Sequence, residues 1–331
     1  MTQSAPLVTI FGGSGFVGRY VAQRMARRGW RVRAAVRRPN EAMFLRPYGD
    51  VGQVEPVQAN IRDDASVAKA CLGADAVINC VGILAEAGKQ SFESVQAQGA
   101  ARVAKAAAEA GVKTFVQISA IGADAEGPSD YARTKAAGEK AVLDAFPDAV
   151  ILRPSVIFGM EDEFFNRFAG MARISPVLPI VGGETRLQPV YVADVAEAAA
   201  RAACGEAAPG IYELGGPEAA TLRELLERML KLIRRRRLIV DMPAGLAGIP
   251  ASILSTLQSL SGGLYVNRTL TSDMIAQLGR DNVVADDART FADLGIEPTA
   301  MEAILESYLY AYRPQGQYSR LTESAKNMRG A

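Results

Sequence analysis

Leu7-Val8-Thr9-Ile10-Phe11-Gly12-Gly13-Ser14-Gly15-Phe16-Val17-Gly18 decides the fold of this 331-residue chain. Its first five residues form a short apolar strand without polar alternation, as expected of a strand covered on both faces. The glycines that follow satisfy both G-x-x-G-x-x-G and G-x-G-x-x-G, and from Phe16 to Arg28 the apolar spacing becomes helical. A glycine string alone is a weak signal, but one that leaves a strand and opens a helix is specific. The glycines allow a tight turn, close approach of backbone to a pyrophosphate, and close packing of helix on strand. The helix start turns N–H groups and partial positive charge toward phosphates. Gly12, Gly13, Ser14, Gly15, Phe16, Val17 and Gly18 are therefore the first candidate binding residues.

Outward from this turn, apolar runs alternate with helical patterns. Strands are expected at 31–36, 54–58, 76–79, 114–118 and 149–152, and helices at 63–72, 91–110 and 130–146. Strands separated by helices imply βαβ units, hence an α/β chain with a Rossmann-type doubly wound parallel sheet. After Arg153-Pro154 the pattern changes: a helix at 164–172, a Pro/Gly-rich stretch to Gly183, a strand at 188–192 and a helix at 194–204. Thr221 and Glu224 form a capping-box pattern opening a helix to about Ile233. Further helices are expected at 244–260, 272–278 and 300–310. The dinucleotide-binding domain is thus residues 1–160, completed by about 187–214. A smaller, mostly helical C-terminal lobe takes 161–186 and 215–312, and 313–331 is a polar tail.

The end of the second strand selects the nucleotide. An acid there would bond the ribose 2′-hydroxyl of NAD, but this chain has Arg37-Arg38. Guanidinium groups match a 2′-phosphate, so NADPH is the expected cofactor. Asn60-Ile61, after the third strand, is expected to line the adenine. Cys80-Val81-Gly82 follows the fourth strand, where the strand order should reverse.

Composition closes other routes. The chain has no histidine, which excludes a Ser-His-Asp triad and any imidazole-ligated metal. Three scattered cysteines are too few for a cluster and suit a reducing compartment, so no metal is expected. Lys+Arg 37 against Asp+Glu 36 gives no global reason to expect nucleic-acid binding. No run is long and apolar enough to span a bilayer. Residues 1–6 lack the pattern of a targeting presequence.

Tyr131-Ala132-Arg133-Thr134-Lys135 opens the helix after the fifth strand. A spacing of four puts both side chains on one face, where an ammonium can stabilise a phenolate for acid/base work. At these residues the chain resembles the short-chain dehydrogenase/reductase superfamily, of the extended or atypical kind, over about 7–310. The resemblance implies a Ser or Thr helper just after the fifth strand. Strand register puts Ala120 there, with Ser119 one place early. This predicts an impaired set in which Tyr131, Lys135 and Ser119 contact cofactor without efficient turnover. Pro154 and Val156, in Arg153-Pro154-Ser155-Val156-Ile157-Phe158-Gly159, complete the expected cofactor contacts.

A narrower resemblance rests on Glu161-Asp162-Glu163-Phe164-Phe165-Asn166-Arg167-Phe168, Leu187–Ala196 and Thr290–Ile296. Together these are similar to the NADPH-binding accessory subunits of respiratory complex I. That implies a peripheral, non-catalytic subunit that holds NADPH and supports assembly near the quinone-binding junction. Its partners would be other complex I subunits. With no presequence pattern, a bacterial form on the cytoplasmic face of the inner membrane is expected. Arg234–Arg237 and the 244–260 helix are either an ordinary helix end and core helix, or a surface for lipid headgroups or an acidic partner. A free NADP-dependent reductase or epimerase using Tyr131 and Lys135 stays open as the alternative.

Overall fold

The computed structural model describes residues 5–242, 272–314 and 316. The expected strands form where the apolar runs placed them: β1 (Leu7–Phe11), β2 (Arg31–Val36), β3 (Val54–Gln58), β4 (Ala76–Asn79), β5 (Thr114–Ile118) and β6 (Val150–Pro154). Between them run α1 (Phe16–Arg27), α2 (Asp64–Cys71), α3 (Gln98–Glu109) and α4 (Asp130–Ala145). The chain after β6 contributes β7 (Ile157–Phe158), α5 (Phe165–Ile174), β8 (Val177–Ile180), β9 (Arg186–Leu187), β10 (Val190–Tyr191) and α6 (Val192–Ala203). It continues with β11 (Gly210–Leu214), β12 (Ala220–Thr221), α7 (Leu222–Leu232) and β13 (Leu238–Asp241).

Seven parallel strands order themselves β11-β6-β5-β4-β1-β2-β3. The chain winds outward from β1 through β2 to β3, then returns to β4 on the other side of β1. This reversal opens a crevice at the carboxyl ends of β1 and β4, where doubly wound sheets bind ligands. Phe11 lies opposite both Ala35 of β2 and Asn79 of β4, so the glycine turn leaves the sheet at its centre.

Two apolar layers clamp the sheet. Val8, Ile10, Ala34, Ile78 and Val116 pack under α1 and α6, while Phe11, Ala35, Val77 and Phe115 pack under α2, α3 and α4. Alanines dominate the buried face of α6, which lets that helix lie close against α1. A third core joins α5, α7 and the helix Met301–Leu309 through Phe158, Phe165, Leu226, Met229 and Leu305. Residues 190–214 thus serve the sheet, and the chain on either side builds the lobe.

Several expectations are refined. The long helix at 91–110 begins as a π-helical turn at Glu93–Ala97. There a Cβ on Gly138 of α4 would lie 2.4 Å from the Gln96 carbonyl, so the two helices touch backbone to side-chain position. The strand at 188–192 shortens to β10 because Val192 already begins α6. A 3-10 helix, Pro39–Tyr48, fills what read as a connection. The capping box forms as expected, with Thr221 accepting from Glu224 N–H and Glu224 accepting from Thr221 N–H. The expected helix 244–260 and nearly all of the tail lie outside the described residues.

Candidate functional site

The glycine turn is shaped for close approach. Gly12 sits at φ 74°, a left-handed geometry that favours glycine. A Cβ on Gly18 would lie 2.2 Å from the Gly12 carbonyl oxygen, and one on Gly13 would lie 2.9 Å from Ala34 Cβ. Gly15 is exposed and precedes α1, where no side chain caps the helix and no acid occupies the first turn. The leading N–H groups of α1 therefore face the crevice without a side-chain acceptor of their own. This is the donor set a pyrophosphate requires.

Beside the turn, Val81 Cγ2 is 3.2 Å from the Cβ position of Gly12, and Val81 N–H donates to Asn79 Oδ1 at 3.1 Å. Gly82 is exposed, and its Cβ position is 3.5 Å from Lys135 Nζ. Gly12, Cys80, Val81, Gly82 and Lys135 thus gather where the strand order reverses. Arg37 and Arg38 stand exposed at the end of β2. Arg37 donates to Gln90 Oε1 at 2.7 Å, whereas Arg38 pairs with Glu41 at 3.0 Å. Phe16 and Val17 are half-buried beneath the turn.

The remaining expected contacts each have local partners. Asn60 Oδ1 accepts the N–H of Arg62, closing a local turn. Ile61 is buried under α3, with its side chain against the Cβ position of Gly99. Pro154 is buried at the end of β6, and its carbonyl accepts Ile121 N–H at 3.0 Å. Val156 packs against the lobe core. Arg19 is committed: it donates to the Ser14 carbonyl at 3.2 Å, pairs with Glu161 at 3.1 Å and stacks 4.9 Å from the Phe44 ring centre.

Tyr131 and Lys135 do share a face of α4. The ammonium lies 5.7 Å from the centre of the Tyr131 ring and donates to the Ile118 carbonyl at 3.4 Å. Burial pulls Lys135 down to about 8, against the opposing pull of Glu139. Burial, with the negative charge of Asp273, pushes Tyr131 up to about 12. Asp273 comes from the short helix Ser272–Gln277 and accepts the N–H of Asp130 at 2.6 Å and of Tyr131 at 3.4 Å. A carboxylate thus closes the start of α4 beside the phenol. Nothing in the local sequence around Tyr131 announced it.

The end of β5 leads into Ser119 and Ala120. Ser119 is buried and its hydroxyl bonds Glu139, the same carboxylate that Arg153 grips through Nε and Nη2. Ala120 presents a methyl group. The Ser119 hydroxyl is thus spent on Glu139.

A crevice with this turn, helix start and strand order defines a dinucleotide-binding short-chain dehydrogenase-type protein. The chain belongs to the NAD dependent epimerase/dehydratase family, whose pattern matches residues 8–215. Within that class it belongs with a respiratory subunit family. It is 35% identical over 329 residues to NADH dehydrogenase (ubiquinone) 1 alpha subcomplex subunit 9 of Arabidopsis thaliana mitochondria, covering 98% of this chain and 82% of that one. It is also 33% identical over 213 residues to a ceramide reductase of Caulobacter vibrioides, covering 64% and 65% of the two chains. Among solved structures, an NADPH-dependent quinone oxidoreductase of Escherichia coli shares the fold at TM-score 0.67 and 23% identity, over 91% of this chain and 98% of that one.

Proposed function

We propose that this chain is a peripheral accessory subunit of respiratory complex I that holds NADPH as a structural element and does not turn it over. The observation that carries the reading is the state of the acid/base pair. Asp273 closes the start of α4 beside Tyr131, Ser119 is turned inward to Glu139, and strand register puts Ala120 at the helper position the family resemblance implies. A missing donor of that kind removes about 2.7–4 kcal/mol of transition-state stabilisation. The glycine turn, by contrast, is intact, and a bound dinucleotide stabilises the fold by about 2.7 kcal/mol at 100 times its dissociation constant.

Gly12 to Gly18 would hold the pyrophosphate, Arg37 and Arg38 the 2′-phosphate, and Val81, Gly82, Tyr131 and Lys135 the nicotinamide half. Choice of NADPH over NADH rests on the arginine pair and the lack of an acid at that strand end. Among the described residues no helix is long and apolar enough to cross a membrane. Contact with a surface is supported by the C-terminal lobe. There Lys231, Arg234 and Arg236 are exposed, along with Ile174, Leu238 and Val240. Lipid phosphates and acyl chains suit that mixture. The subunit-9 relative is mitochondrial and lends no support to the bacterial membrane expected above.

Native purification from detergent-solubilised membranes tests the reading. The chain is expected to migrate with the large redox assembly and to carry NADPH, and Tyr131→Phe is expected to change neither. Recovery as a lone chain would contradict it. A second reading, a reductase of a lipid-like carbonyl, is favoured by the Lys135–Tyr131 pairing and by the ceramide reductase relative. Under that reading Tyr131→Phe abolishes NADPH oxidation by a ketone substrate.

A further inference from the structure

Three strand ends meet at one corner of the crevice. Arg37, just past β2, donates from Nη1 to Oε1 of Gln90 at 2.7 Å. Arg62, just past β3, donates from Nη1 to the carbonyl of Lys89 at 2.6 Å. Lys89 and Gln90 belong to a tight turn after β4, closed by Ala87 N–H to Gln90 carbonyl and Gln90 N–H to Ala87 carbonyl, both 3.0 Å. The carboxylate of Glu86 accepts Phe92 N–H at 2.7 Å and pins the turn's return to the fold. A loop that starts on one side of β1 is thereby carried across to the strand ends on the other side.

Apolar burial does not explain the reach. Leu84, Gly88 and Lys89 are exposed, and Gln90 is half-buried. The contact instead brings two cations to one turn, since Arg37 and Arg62 both donate into Lys89–Gln90. Arg37 and Arg62 are each anchored by a neutral oxygen, an amide and a peptide carbonyl, so their charge is left uncancelled. Arg38 differs, because Glu41 neutralises it in place. An exposed arginine loses considerable rotamer freedom when it grips an anion, and a neutral anchor removes part of that loss beforehand.

We propose that Arg62 and the Lys89–Gln90 turn complete a pocket for a 2′-phosphate. Gln90 positions Arg37, and Arg62 holds the turn that carries Gln90. Selection of a phosphorylated dinucleotide then depends on three strand ends and not on the Arg37-Arg38 pair alone. The inference rests on the NADPH reading above and names the residues that would enforce it.

The test is the ratio of dissociation constants for NADH and NADPH, measured by fluorescence titration of the full chain stripped of nucleotide. The unaltered chain is expected to favour NADPH by about a hundredfold at low salt, as charge-assisted phosphate bonds imply. Gln90→Ala and Arg62→Ala are each expected to lower that ratio by about five- to tenfold, with NADH affinity nearly unchanged. Gln90→Glu, which cancels the Arg37 charge, is expected to lower it further. An unchanged ratio in Gln90→Ala and Gln90→Glu, or equal weakening of both dinucleotides, overturns the proposal while leaving the NADPH reading intact. An unaltered chain that shows no preference overturns both. Gln90 is a surface-turn residue, so its variants carry the test even where Arg62→Ala fails to fold.

Discussion

Lys135 shows how a single residue can be set against the fold. Titrating near 8 in place of 10.5, it costs the folded state on the order of 3 kcal/mol at neutral pH. Its folded value lies below its unfolded one, so the unfolded chain holds the extra proton between about pH 8 and 10.5. Stability therefore rises with pH through that window, and the penalty is complete below it. Lys135→Met is expected to raise the melting temperature of the nucleotide-free chain at pH 7 and to weaken NADPH retention. Calorimetry showing a lower melting temperature would contradict the assignment. Arg37→Asp is expected to weaken NADPH binding by at least tenfold while sparing NADH, because it replaces an attraction with a repulsion. The pair Tyr131 and Lys135 was legible, since a spacing of four dictates a shared helical face. What governs the pair was only half legible: Glu139 follows Lys135 by four residues on the same helix, whereas Asp273 reaches Tyr131 from 142 residues away in the chain.

The elements that frame the crevice were equally uneven to read. Strands β1 to β6 announce themselves because burial on both faces demands unbroken apolar runs. The two-residue strands β7, β9 and β12 carry no such pattern, since a pair of bridged residues has no period to detect. The π-helical turn at Glu93–Ala97 answers to Gly138 on another helix, which no local pattern records. Two tests belong to this level. Gly18→Ala drives a methyl group into the Gly12 carbonyl, so it is expected to destabilise the chain by about 1–3 kcal/mol and to abolish dinucleotide binding. Normal NADPH affinity in that variant would refute the close-packed turn. Asp273→Ala removes an acceptor at the start of α4. A loss of about 1 kcal/mol is expected, with faster hydrogen exchange at the Asp130 and Tyr131 amides.

At the scale of the molecule, the sheet and lobe are tied together around the crevice. Glu161, in the connection from β7 to α5, accepts from Arg19 and Tyr20 of α1 at 3.1 and 2.9 Å. Asn282 bonds Ser155 and the Ile121 carbonyl, past the ends of β6 and β5. A dinucleotide seated between these ties would stiffen both parts, so saturating NADPH is expected to raise the melting temperature by several degrees. That β11 rejoins the sheet and that a third core gathers α5 and α7 agree with the change of pattern after Pro154. The lobe's own small strands left no mark in that pattern. The expected surface contact is tested by Arg234–Arg237→Gln, which should loosen association with anionic vesicles at low salt; unchanged association would leave those arginines without that role. The central claim is that NADPH is kept and not consumed. It is tested most directly by denaturing the natively purified chain after incubation with an excess of quinone or ketone, then quantifying the nucleotide released. The account predicts about one NADPH per chain, still reduced. Recovery of NADP in its oxidised form, or of no nucleotide at all, would contradict it.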